Sequence, residues 1–128
     1  MSLIKNEQEL FNYLKKNVVE DLTKAEDEFS VYDCYSISQK TIIELKARGE
    51  HYDTLLIEKK KYDALMKFDC NVRYICSTPK GIFSFDLKSL KNIQWVAESH
   101  NKTTEFKNNN KVSKLIYNIP INKSVTLN

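Results

Sequence analysis

The chain has 128 residues, the size of one domain, with 41% hydrophobic, 11% aromatic and 29% charged residues, a globular rather than disordered balance. No apolar run approaches the ~20 residues that span a bilayer, and the opening "MSLIKNEQEL" lacks the basic and apolar segments of a secretory leader, so a cytoplasmic protein without a membrane partner is expected. The net charge of +3 is unevenly spread: residues 1–28 hold four lysines against seven acids, and residues 81–128 hold seven lysines against three, which suits one basic side facing a phosphate backbone.

In chain order, Asn6 followed by Glu9 is a capping-box start, and Phe11, Leu14, Val18, Leu22 and Ala25 recur at helical spacing, predicting a helix over 7–25. On the helical wheel Glu7 falls at the centre of the apolar stripe and Glu9 lies nearly opposite; Glu7 either points inward or complements the dipole of a frayed terminus. "FSVYDCYSI" and "KTIIELKAR", joined by the polar "SQK", predict two antiparallel strands. "GEHYD" breaks that pattern, and Asp53 or Thr54 is placed to cap a second helix, "TLLIEKKKYDALMKF". "NVRYICS", the turn "TPKG" and "IFSFDL" read as a hairpin, and "KSLKN" as a turn or short helix. "IQWVAES" and "KVSKLIYNIPI" read as strands on either side of the loop "HNKTTEFKNNN". No repeat or linker interrupts the chain, so residues 1–128 are expected to form a single domain. The order predicts an α/β sandwich around a mixed sheet.

Some chemistries are argued against. The two glycines form no phosphate loop, and GxSxG and HExxH are absent, which excludes nucleotide-driven motors and serine hydrolases of the common types. Cys34, Cys70 and Cys76 are odd in number and lack CxxC spacing, as expected of buried thiols rather than a disulfide frame or zinc site. His51 and His100 sit in polar stretches without a spaced partner. Trp95 is either core or a platform for stacking bases.

The stretch that demands an explanation is "TIIELKAR". Side chains alternate along a strand, so Ile43, Leu45 and Ala47 take one face while Ile42, Glu44, Lys46 and Arg48 share the other. Ionised groups cost several kcal/mol each to desolvate unless compensated. Asp33, on the preceding strand, lies beside Glu44 after a tight hairpin. Two such carboxylates, with the backbone carbonyl of Leu45, make a hard oxygen site fit for Mg²⁺ or Mn²⁺. A lysine next to that ion, Lys46, can orient or help deprotonate a water, or offset charge on a phosphorane-like transition state.

Asp33, then ten intervening residues, then "ELK" at 44–46, with a helix before and a helix after, resembles the PD-(D/E)XK nuclease superfamily, the restriction-endonuclease-like fold. The resemblance covers roughly residues 7–86 and implies an αβββαβ core with a mixed central sheet flanked by helices. It implies a Mg²⁺-dependent DNA endonuclease, with Asp33 and Glu44 as metal ligands and Lys46 assisting the nucleophilic water. The small members with an acid on the first helix, such as archaeal Holliday junction resolvases, assign Glu7, or alternatively Glu9, to the metal or its waters. They also suggest a homodimer, and small phage and bacterial nucleases look similar. Tyr32 stands where the motif often has proline. Two further acid-x-Lys triplets, "EKK" at 58–60 and "DLK" at 86–88, lack this context. In such nucleases the second helix often reaches the scissile phosphate. Of Lys59, Lys60 and Lys61, the wheel favours Lys61, which borders apolar surface, against the simpler reading of three solvated lysines. Thr54 at the predicted helix start is a cap or a phosphate contact. The competing readings are an inactive nucleic-acid-binding module or a protein-interaction module on the same fold.

Overall fold

The computed structural model describes residues 4–27, 30–101 and 111–128, with positions 99–101 and 111–113 described as backbone. In chain order the elements are helix α1 (Glu7–Asn17), strands β1 (Thr23–Lys24), β2 (Cys34–Ser36), β3 (Thr41–Ala47) and β4 (Thr54–Glu58), helix α2 (Lys59–Met66), and strands β5 (Asn71–Thr78), β6 (Gly81–Asp86), β7 (Val96–Asn101), β8 (Lys111–Pro120) and β9 (Val125–Thr126). Short 3₁₀ turns cover Leu87–Ser89 and Ile121–Lys123. No helix among the described residues is long and apolar enough to cross a membrane.

α1 starts at the expected cap: Asn6 Oδ1 accepts from the Glu9 N–H at 2.9 Å, while Glu9 Oε1 reaches past the cap residue of a regular capping box to accept from the Lys5 N–H at 3.2 Å. It stops at Asn17, well before the periodicity runs out at Ala25, because Asn17, Val18 and Val19 are successive weak helix formers. Lys15 Nζ then donates to the Leu22 carbonyl at 2.8 Å, so Val19 and Leu22 reach the core from an irregular turn.

The second predicted helix also divides. Its opening residues form β4, with Leu55 and Ile57 buried at period two, and only Lys59–Met66 is helical. A short apolar run fits both periods, and here β8 decides: Leu55 faces Ile119 and Ile57 faces Tyr117 across an antiparallel ladder. Thr54 is therefore an exposed strand residue and caps no helix.

The main sheet has strand order β1-β2-β3-β5-β6-β9, antiparallel except for the parallel β3–β5 pair; β4, β8 and β7 form a second, antiparallel sheet. A parallel pair requires a crossover, which β4 and α2 supply. The main sheet is covered on both faces. Leu10, Leu14 and Leu22 pack on Ile43, Leu45, Ile75 and Ile82, while Leu55, Ile57, Leu65 and Ile119 pack on Ile42, Val72, Cys76 and Phe85. Burial on both sides explains why "TIIEL" reads as almost continuously apolar, with Glu44 as its exception. Leu65, fully buried, is what seats α2. Leu65→Ala is expected to cost about 2–5 kcal/mol of stability, read as a drop in the urea midpoint.

Candidate active site

The β2–β3 register sets Cys34 against Ile43, so the next rung brings Asp33 beside Glu44. Asp33 N–H donates to the Ile43 carbonyl at 3.0 Å, and its Oδ2 accepts from the Leu45 N–H at 2.7 Å. The carboxylate thus stands in for a strand partner that Leu45, 6% exposed, would otherwise lack where β2 gives out. The N–H and C=O of one strand residue face the same edge, so the Leu45 carbonyl looks toward Asp33 too. Asp33→Ala should leave a buried amide unsatisfied and cost about 1–3 kcal/mol, whereas Asp33→Asn keeps an acceptor and should unfold near the wild-type denaturant concentration. Equal losses in both would show that the side-chain acceptor is not what matters.

Glu44 is 8% exposed, between Asp33 and Tyr74, its partner in the parallel β3–β5 ladder. Burial raises its carboxyl most, and a side-chain hydrogen bond with Asp33 raises it further. Lys61 Nζ, 2.5 Å from Glu44 Oε2, offsets only part of this, and Glu44 is pushed up to about 8. Carboxyls on adjacent rungs oppose each other's ionisation, and a divalent ion held between them would relieve that repulsion. Burial, followed by the charges of Asp33 and Glu44, also pushes the Cys34 thiol up to about 12; burial and then Glu44 raise Tyr74. Among the described residues no three His, Cys, Asp or Glu side chains converge. The donor set is two carboxylates and a carbonyl, leaving the remainder of a hard cation's shell to water or substrate oxygens. That set fits Mg²⁺ or Mn²⁺.

Asp33 and Leu45 also line a groove of about 210 Å³ with Glu7, Gln8, Phe11 and Lys24. Glu7 is exposed there rather than turned into the core; in the same turn it is Leu10 that is buried against the sheet. Glu9 is occupied by the helix cap, so Glu7 is the helix acid that shares Asp33's groove.

On the other side of Glu44 opens a cleft of about 440 Å³, lined by Glu44, Lys46, Arg48, Leu56, Ile57, Glu58, Lys61 and Tyr74. Lys46 is exposed, as strand alternation requires, and enters the same cleft as Glu44. Of the three consecutive lysines, Lys59 pairs with Asp63 at 2.6 Å, Lys60 is exposed, and Lys61 reaches Glu44. Tyr74 and Glu58 belong to no sequence-based site, since neither the parallel register nor β4 is legible locally. Arg48 is visible in the sequence as the next member of the Glu44, Lys46 row. His51 is a structural peg: its Nδ1 lies 2.9 Å from Thr78 Oγ1 and its ring rests on Phe83. The backbone of His100 belongs to β7. Trp95 packs edge-on against Tyr62 and Tyr117, at 5.4 and 6.3 Å between ring centroids, and joins the core. All three cysteines are free, with Cys34 and Cys76 buried.

Among solved structures, the chain is similar to that of Archaeoglobus fulgidus Hjc, a Holliday junction resolvase from an archaeal hyperthermophile. The TM-score is 0.55 at 14% sequence identity, over 94% of this chain and 88% of that one. The fold is restriction-endonuclease-like. No protein-family profile and no curated protein matches the sequence. In this restriction-endonuclease-like frame, β2 with the residue before it, β3 and α2 are the elements that carry Asp33, Glu44, Lys46 and Lys61.

Proposed function

We propose that the chain acts as one domain, residues 1–128, and is a divalent-metal-dependent DNA endonuclease selective for junction or branched DNA. One observation carries this reading: the β2–β3 register sets Asp33 beside Glu44, whose side chain opens with that of Lys46 into one cleft. The junction preference draws on the similarity to a solved structure that is named a Holliday junction resolvase.

Asp33, Glu44 and the Leu45 carbonyl would hold Mg²⁺ or Mn²⁺, with Glu7 available from the groove it shares with Asp33. Such an ion supplies Lewis-acid stabilisation of charge on the phosphate oxygens. Lys46 orients the attacking water and balances negative charge as the phosphodiester bond breaks. Lys61 keeps the buried Glu44 carboxylate compensated and stands where a phosphate enters the cleft. Two copies would offer one site to each of two strands of a junction, so a homodimer is the expected working unit.

Incubation with supercoiled plasmid and with a four-way junction, in Mg²⁺, Mn²⁺ or EDTA, tests the reading. Nicking or resolution with either metal and none in EDTA supports it. Salt-sensitive binding without cutting would instead identify an inactive nucleic-acid-binding module, and neither binding nor cutting a protein-interaction module; both outcomes overturn the enzyme assignment.

A further inference from the structure

The charges of the Glu44 cleft do not all cancel. Glu44 is paired with Lys61, and Glu58 with Lys114 at 3.2 Å. Among the described residues, Lys46 and Arg48 are left in the cleft without an acidic partner. Arg48 is nevertheless held firmly. Its backbone N–H donates to the Ser77 carbonyl at 2.8 Å, its guanidinium carbon stands 5.2 Å from the centre of the Tyr52 ring, and one Nη contacts the Thr54 carbonyl at 3.5 Å. Tyr52 is fixed in turn by its hydroxyl, which donates to Glu50 Oε2 at 2.9 Å. An arginine side chain carries five N–H donors, and these contacts engage one of them. A guanidinium stacked on a ring, with unused donors beside a cleft, is preorganised for bidentate contact with phosphate oxygens.

Lys46 and Arg48 sit two residues apart on one face of an extended segment, a separation of ~6.6 Å, which suits successive phosphates of one nucleic-acid strand. We infer that Arg48 is the phosphate-positioning residue: it grips the phosphodiester next to the one presented to Asp33, Glu44 and Lys46, and so lays the bound strand along β3. This assignment rests on the nuclease reading for its substrate and on the cleft for its geometry.

The test compares wild type, Arg48→Ala and Arg48→Lys by fluorescence anisotropy on a short DNA duplex and a four-way junction, in EDTA, across a salt series. Arg48→Ala should weaken binding about 10- to 100-fold and lower the slope of log affinity against log salt by about one. Arg48→Lys should keep the slope but recover only part of the affinity, because a point charge replaces a fork. Loss of a merely structural arginine would shift the melting temperature without changing that slope, and would overturn the assignment. Arg48→Ala with wild-type affinity and slope overturns it too, whatever the cleavage assay shows. A wild-type protein that does not cut, combined with a reduced slope in Arg48→Ala, refutes the nuclease reading and leaves the Arg48 contact standing.

Discussion

Lys46→Ala is expected to lower metal-dependent DNA cleavage by about 10²–10⁴-fold while leaving the fold intact and most duplex binding in place. The expectation follows from position. Lys46 is exposed on β3, so truncating it removes little packing and should change stability by no more than about 0.5 kcal/mol. Its ammonium group opens into the cleft beside Glu44, where a water and a phosphate would meet. Single-turnover rates on supercoiled plasmid, with anisotropy for binding and a melting curve for folding, separate these three effects. A variant that cuts at the wild-type rate would remove Lys46 from the chemistry. A variant that no longer binds would recast it as an anchor.

Glu44→Gln should abolish cation binding and flatten the pH dependence of metal-free stability. In the folded protein Glu44 is pushed up to about 8 from an ordinary value of 4.5, because burial and Asp33 favour its neutral form. The folded chain therefore binds this proton more tightly than the unfolded chain. The resulting stabilisation is fully present below the unfolded value and is lost as pH rises through about 8. Urea midpoints between about pH 5 and about pH 9 should fall for wild type relative to Glu44→Gln, with a difference worth a few kcal/mol at most. Cation binding has the opposite dependence, since the ligand must be ionised: Mg²⁺ affinity should climb across the same window and release protons. Calorimetry in buffers of different ionisation heat reads that release. Parallel stability curves for the two proteins would mean that Glu44 is already charged when the cation is absent.

How far these residues are legible in the sequence depends on the range of the interaction that positions them. Asp33 and Glu44 can be placed because a short hairpin fixes its own register, and alternation then assigns faces. Lys61 stands out from Lys59 and Lys60 by helical angle alone. The end of α1 is not legible from its stripe, since Val19 and Leu22 remain apolar and buried although the helix has stopped. β4 is hidden because "TLLIE" satisfies helical and extended spacing alike, and its partner lies far along the chain in β8. Tyr74 meets Glu44 only through the parallel ladder, which local pattern does not encode. Glu7 is singled out by an angle that would bury it; the structure leaves it in solvent over the Asp33 groove.

The ladders also differ in how far along the chain they reach. The β2–β3 hairpin links Ser36 to Thr41, so the contact that sets the two acids side by side closes a short loop at little entropic cost. The strand that leads into α2 pairs Thr54 with Pro120, a contact between distant parts of the chain whose loop costs more entropy to close. The cation that meets Glu44 thus depends on a long-range pairing, whereas the acid beside Glu44 is set by a local one. A substitution that loosens the β4–β8 ladder should therefore shift Lys61 while sparing the rung that holds Asp33 and Glu44, and native-state hydrogen exchange would read the difference.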